Sequence, residues 1–251
     1  MSAGEAGSRA SAQIGAARVS GTVAIVPLIG MILPRASWAG TGLDQFLSRL
    51  REAADDQSVD SIVILADSPG GLVDRVQEAA DAVFAVRAKK KIVAVSDTRM
   101  ASACYWICSG AHEVVASPSS MTGCVGVMRI CMSYAEMFAK DGIAASVFVS
   151  RPSKGWNNPY EAMPEEAKAF NQAQVDETDT AFIDAIARNR RMDANAVREI
   201  PALGRSLSAD AALAAGLVDR IATLDEVIAG LAGRGSTRGV SRSARMAFAG
   251  V

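Results

Sequence analysis

The stretch SIVILAD (Ser61–Asp67) constrains the fold more than any other. Its apolar run, rich in β-branched residues, leaves no polar face for water. A strand of this kind must be covered on both sides, as in a parallel sheet layered with helices. TVAIVPLI (Thr22–Ile29), KIVAVS (Lys91–Ser96), HEVVASP (His112–Pro118) and AASVFVS (Ala144–Ser150) read as further strands. Between the first of these, GLDQFLSRLREAADD places Leu43, Phe46, Leu47 and Leu50 at helical spacing. LVDRVQEAADAVFAVRAKK does the same with Leu72, Val76, Ala79, Ala80 and Val83, and its basic end suits a helix C-terminus. The alternation predicts an α/β chain of repeated βαβ units, with a mostly parallel sheet and helices on its faces.

Beyond Pro159 the pattern turns helical. Pro164 and the acids after it open a long helix, PEEAKAFNQAQVDETDTAFIDAIARNRR. SADAALAAGLVDRIATLDEVIAGLAG then reads as helix, a stop at Gly216, short strand and C-terminal helix, with Thr223 and Glu226 at capping-box spacing. The expected organisation is a small polar arm over residues 1–20, one domain over 21–232 and a basic flexible tail over 233–251.

Composition narrows the function. The net charge is −1, so a nucleic-acid role has no support. The longest apolar run, Val23–Leu33, is interrupted by Pro27 and Gly30 and falls well short of the ~20 residues of a membrane span. No apolar leader stands at the start, so neither a secretion signal nor an anchor is expected in this chain. Cys104, Cys108, Cys124 and Cys131 form no C-x-x-C pair and His112 is the only histidine, so no metal site is expected and the thiols read as buried and free.

Three stretches carry candidate chemistry. DSPGG (Asp67–Gly71) follows a buried strand, and its paired glycines let backbone come close to another group; it is equally an ordinary strand-to-helix turn. Ser102 also follows a strand and opens a helix. There its hydroxyl either caps the helix or attacks a substrate, with the Ala103 N–H and one from Gly71 able to hold an oxyanion. SRPSKGWNNPY (Ser150–Tyr160) is a turn-rich loop with Lys154 at its centre. A serine nucleophile needs a base. His112 lies beyond the far end of the helix that Ser102 opens. A lysine serves only in a dry pocket that disfavours its charge; otherwise it is a solvated loop residue.

Taken together, DSPGG, MASACYW (Met100–Trp106), SMTGCVGV (Ser120–Val127), SRPSKGWNNPYEAM (Ser150–Met163) and SADAALAAGLVDRI resemble the signal peptide peptidase SppA family of serine proteases, within the Clp protease and crotonase superfamily. The match runs over about residues 20 to 230. The resemblance implies a Clp protease/crotonase-like fold with C-terminal helices. It also implies a Ser-Lys dyad with Ser102 as nucleophile and Lys154 as general base, an oxyanion hole from Gly71 and Ala103, and substrate contacts at Gly70, Leu72, Cys124, Val125 and Gly126. The peptide is expected to lie extended beside DSPGGLV and GCVGVM. No cofactor is implied. The implied partners are a peptide or protein substrate and further copies of the chain in a ring or dome.

Two positions depart from the family pattern. Cys124 stands where members carry a serine thought to orient the lysine, and a thiol is a weaker hydrogen-bond partner. Ala103 replaces a glycine but keeps its N–H. The short form and NNPY look more like the phage and prophage members, thought to process capsid or scaffold proteins, which implies host cytoplasm or prohead. The alternatives are a catalytically weak scaffolding protein of the same fold and a crotonase-like acyl-CoA enzyme.

Overall fold

The computed structural model describes residues 22–38, 40–234 and 247–248. The expected N-terminal arm and most of the expected basic tail lie outside the described residues. The chain divides into two compact units: residues up to Val125 together with those from Ile183 onward, and Gly126–Phe182.

In the first unit the elements run β1 (Thr22–Ile29), β2 (Met31–Leu33), β3 (Gly40–Gly42), α1 (Leu43–Asp55), β4 (Val59–Ser68), α2 (Val76–Val86), β5 (Lys91–Ala101), α3 (Ala103–Ser109), β6 (Glu113–Ala116) and β7 (Met121–Gly123). The second unit holds α4 (Ala135–Lys140), a 3₁₀ turn at Pro152–Gly155 and the start of α5 (Glu165–Arg190). After α5 come α6 (Ala194–Arg198), β8 (Ser206–Ser208), α7 (Ala209–Ala214), β9 (Arg220–Ile221), α8 (Leu224–Arg234) and β10 (Ala247–Phe248). The main sheet has the order β10-β1-β4-β5-β6-β9, parallel throughout, and β7 joins the end of β5 and pairs antiparallel with β8.

SIVILAD forms the heart of β4, next to the centre of this sheet, and both its faces are covered. On one, Val63 packs with Val23, Ile25, Val93, Val95 and Val115 against Val227 and Ile228 of α8. The alternate residues Ile62, Ile64, Ile92, Ala94 and Val114 are fully buried as well. Each large side chain of this kind contributes about 1.5–3 kcal/mol through burial. Helices α1, α2 and α3 supply Leu43, Phe46, Leu50, Val76, Ala80, Val83, Tyr105 and Ile107 to the core. The α/β reading therefore holds. So does the capping box, in which the Thr223 N–H donates to Glu226 Oε2 at 2.8 Å and the Glu226 N–H donates back to Thr223 Oγ1 at 3.3 Å.

Two expectations fail. Leu72 does not open a helix: Arg75 sits in the left-handed region at φ 67°, α2 starts only at Val76, and Leu72 is half-exposed. AASVFVS forms no strand, because Ala144–Ser150 finds no ladder partner among the described residues, and Phe148 is 94% exposed.

An ion pair ties α5 to the sheet. Arg190 donates bidentately to Asp219, at 2.8 Å on each oxygen, and Asp219 also accepts from the Val114 N–H at 2.7 Å. Burial alone would raise the Asp219 carboxyl; the Arg190 guanidinium and the Val114 N–H outweigh it and hold the group below the usual carboxylate range. With its folded value below its unfolded one of ~3.9, Asp219 adds stability that is complete above about pH 4 and is lost as pH falls through the folded value. The Arg190 side chain is 6% exposed and that of Asp219 41%. Asp219→Asn is therefore expected to cost about 2 kcal/mol near neutrality, less than the 3–5 kcal/mol of a fully buried pair. Urea unfolding at a series of pH values checks this: the gap to wild type narrows as pH drops below about 4.

Candidate active site

The carboxyl ends of adjacent parallel strands are where open α/β sheets form their sites. Here the ends of β4 and β5 carry DSPGG and Ser102. Ser102 sits at the cap position of α3, yet its side chain makes no cap hydrogen bond, and its backbone lies at φ 54° and ψ −126°. A non-glycine residue held there costs of order 1–3 kcal/mol and persists only where its surroundings impose it. The imposition is visible: the Ser102 N–H donates to the Gly123 carbonyl at 2.8 Å, and the Ser102 carbonyl accepts from the Trp106 N–H at 3.0 Å. Capping, the ordinary role of such a serine, is therefore absent.

The helix behind Ser102 is locked. Cys104, Tyr105, Trp106 and Cys108 are all buried. The Tyr105 hydroxyl donates to the Leu217 carbonyl at 2.8 Å, and Asn189 Nδ2 donates to Ser109 Oγ at 2.9 Å. Burial pushes the Tyr105 phenol up, and burial together with Cys104 pushes up the Cys108 thiol, so both stay neutral.

The two glycines of DSPGG do different jobs. A Cβ on Gly70 would lie 2.7 Å from Ser102 Cβ and 3.1 Å from the Ala103 nitrogen, and Gly70 has φ +99°. Gly70 thus lets the turn press against the serine, and its N–H is held by the buried Ser68 Oγ at 3.1 Å. Gly71 forms a parallel bridge with Ile32: the Ile32 N–H donates to the Gly70 carbonyl at 2.9 Å and the Leu72 N–H to the Ile32 carbonyl at 3.0 Å. That pattern does not use the Gly71 N–H. The Ala103 N–H, first in α3, likewise has no acceptor within its helix.

Cys124 follows Gly123 at φ 52°, and its thiol reaches the Gly204 carbonyl at 3.6 Å. The N–H groups of Cys124 and Val125 are taken by the carbonyls of Arg205 and Leu203, both at 2.9 Å. A peptide lying beside GCVGVM therefore has to pair elsewhere on this segment. Cys131 is exposed and Cys124 only partly buried, contrary to their expected burial, and all four thiols are free. His112 sits past the far end of α3; it is exposed, and its Nδ1 accepts from the Ile92 N–H at 3.3 Å.

Gly126 and Lys154 belong to the second unit. Lys154 lies in the 3₁₀ turn Pro152–Gly155, its N–H donating to the Arg151 carbonyl at 3.0 Å, and it is exposed rather than enclosed in a dry pocket. Next to that turn, Val147, Val149 and Trp156 line a cleft of about 480 Å³ together with Glu161 and Glu166. Among the described residues no cluster of three or more His, Cys, Asp or Glu side chains is arranged to hold a metal. Nor is any helix among them long and apolar enough to cross a membrane.

A family model described as peptidase family S49 matches residues 84–236, more than half of the chain. The chain belongs to peptidase family S49. Among its relatives, the S49 chain is 27% identical over 84% of its length to the capsid assembly protease C of Escherichia phage lambda, and 26% identical over 86% to the head–tail preconnector protein GP5 of Enterobacteria phage P21. It is 27% identical over 73% of its length to a putative signal peptide peptidase SppA of Enterococcus faecium. The matches cover 49%, 44% and 53% of those proteins, so the S49 chain spans about half their length. Its fold resembles that of the 1510-N membrane-bound stomatin-specific protease, with a TM-score of 0.50 at 19% identity, covering 82% of this chain and 83% of that one. The expected SppA-type family and Clp protease-like α/β fold are thereby established.

Proposed function

We propose that the chain is a serine endopeptidase working through a dyad of Ser102 and Lys154. The observation that carries this is the backbone of Ser102: strained, uncapped and backed by Gly70 at the end of a buried parallel strand. In this reading Lys154 takes the Ser102 proton as Oγ attacks the scissile carbonyl. The oxyanion rests on the N–H groups of Gly71 and Ala103. Lys154 then gives the proton to the leaving amine, and water hydrolyses the acyl-enzyme. Gly70, Leu72, Cys124, Val125 and Gly126 flank the peptide. The peptidase domain in this reading runs over residues 21–232.

A lysine acts as base only where water is kept from it. Lys154 is exposed in its own 3₁₀ turn, and in this reading substrate or another copy of the chain covers it. The second unit supports assembly: Met128, Ile130, Met132, Ile143 and Phe148 are all more than half exposed. In this reading these side chains meet another copy of the chain. The substrates proposed from the relatives' names are phage head or scaffold proteins or signal-peptide-like segments, and the place of action is the host cytoplasm or the prohead.

Hydrolysis of a casein-derived peptide mixture tests the dyad. Lys154→Ala is expected to lower the rate about 10²–10⁴-fold, the usual contribution of a general base. An unchanged rate contradicts the role of Lys154. Light scattering tests the assembly: wild type is expected to run larger than one chain, and Ile130→Asp to shift it toward a single chain and lower activity with it. A fully active single chain contradicts that part.

A further inference from the structure

The register of β5 contains an irregularity whose place suggests a purpose. Along β4, Ala66 pairs with Ser96 of β5, but Ser68 pairs with Met100. One residue of β4, Asp67, thus stands opposite three of β5: Asp97, Thr98 and Arg99. At the same point β5 leaves β6, its last pair there being Ser96 with Ala116, and takes up β7, beginning with Arg99 and Met121. Bulges re-aim the chain beyond them. Beyond this one β5 runs through Met100 and Ala101 directly into Ser102. The bulge is pinned across the gap, where the Thr98 hydroxyl donates to the Asp67 carboxylate. The Asp67 carbonyl in turn accepts from the Gly30 N–H at 2.9 Å, which fixes Asp67 from the β1 side.

We propose that Asp67 and Thr98 are a positioning pair for Ser102: their hydrogen bond holds the β5 bulge open, so that the end of β5 delivers Ser102 against Gly70 with its strained backbone intact. The inference rests on the serine-peptidase reading and deepens it. In this proposal the pair acts through Ser102 rather than on the substrate itself. The pair sets where the nucleophile stands relative to the DSPGG turn, and a loss of placement lowers turnover far more than binding. Thr98 is exposed, so removing its hydroxyl leaves no buried orphan and no cavity.

The test uses Thr98→Val, which keeps the shape and removes the donor, Thr98→Ser, which keeps the donor, and Thr98→Val combined with Asp67→Ala. Three readouts apply: the rate at which a fluorophosphonate labels Ser102, kcat and KM on a peptide, and hydrogen exchange of the segment Arg99–Cys104. Thr98→Val is expected to label about tenfold more slowly, the usual scale for one hydrogen bond, with KM within about twofold. Exchange quickens, because the Ser102 N–H bond to Gly123 loosens. Thr98→Ser restores all three, and the double variant is no worse than Thr98→Val alone, as expected of two partners in one bond. Wild-type labelling in Thr98→Val overturns the proposal. So does a Thr98→Ser variant as slow as Thr98→Val, or a double variant clearly slower than Thr98→Val. Absence of any Ser102-dependent label in wild type instead overturns the peptidase reading, and exchange then decides the pair by itself. Quickening in Thr98→Val but not in Thr98→Ser upholds it, and unchanged exchange overturns it.

Discussion

Ser102→Gly is expected to abolish peptide hydrolysis while making the protein more stable. The two effects share one origin. Ser102 occupies φ 54° and ψ −126°, a conformation that glycine adopts freely and serine adopts at a cost of about 1–3 kcal/mol. Glycine relieves that strain but adds about 0.5–1 kcal/mol of chain entropy to the unfolded state, so the net gain is about 1 kcal/mol. Ser102→Ala keeps the strain and stays within about 0.5 kcal/mol of wild type, since no cap hydrogen bond is lost. Both variants lose hydrolysis by at least about 10³-fold, because removing the nucleophile of a catalytic group removes the function of the whole group. Urea unfolding and peptide turnover, measured on the same three proteins, check the pair of effects. A Ser102→Gly protein less stable than Ser102→Ala contradicts the strain argument.

Gly71→Ala is expected to have the largest effect on the site without altering any reacting atom. A Cβ there would stand 2.0 Å from the carbonyl oxygen and 2.6 Å from the nitrogen of Ile32. Both are backbone atoms, so no rotamer change relieves the contact and β2 has to move away. Overpacking costs about 1–3 kcal/mol even where side chains yield, and a rigid backbone neighbour places this substitution at the upper end or beyond. Moving β2 also displaces the Gly71 N–H. The loss of one oxyanion donor lowers kcat about 10²–10³-fold. The expected result is a folded but weakened protein whose kcat falls much further than its KM rises. Thermal unfolding and steady-state kinetics check it, and unchanged kcat contradicts the assignment of Gly71 as donor.

Much of this was legible in the sequence because it depended on local pattern. SIVILAD had to be covered on both faces, and it is. The capping box at Thr223, the helix after Pro164 and the stop at Gly216 depend on neighbours within a few residues and appear as expected. What escaped depended on distant partners. AASVFVS has a strand's composition, but a strand also needs a ladder, and the sequence does not say where one is. Leu72 fits the helical spacing of Val76 and Ala80, yet Arg75 in the left-handed region breaks the turn before it. Paired glycines announced a close approach without saying that Gly70 meets Ser102 and Gly71 meets Ile32. The Asp67–Thr98 bond and the Arg190–Asp219 pair join residues far apart in the chain, and nothing in the local sequence says which residue each of the four meets. The strain at Ser102 was likewise invisible, because it is set by Gly123 and by the register of β5 against β4.

The most direct test of the Ser-Lys dyad is the intact mass of the protein after incubation with a fluorophosphonate, in wild type, Ser102→Ala and Lys154→Ala. The expected result is one adduct in wild type, none in Ser102→Ala and a strongly slowed adduct in Lys154→Ala. An adduct that persists in Ser102→Ala, or one that forms at the wild-type rate without Lys154, contradicts the dyad.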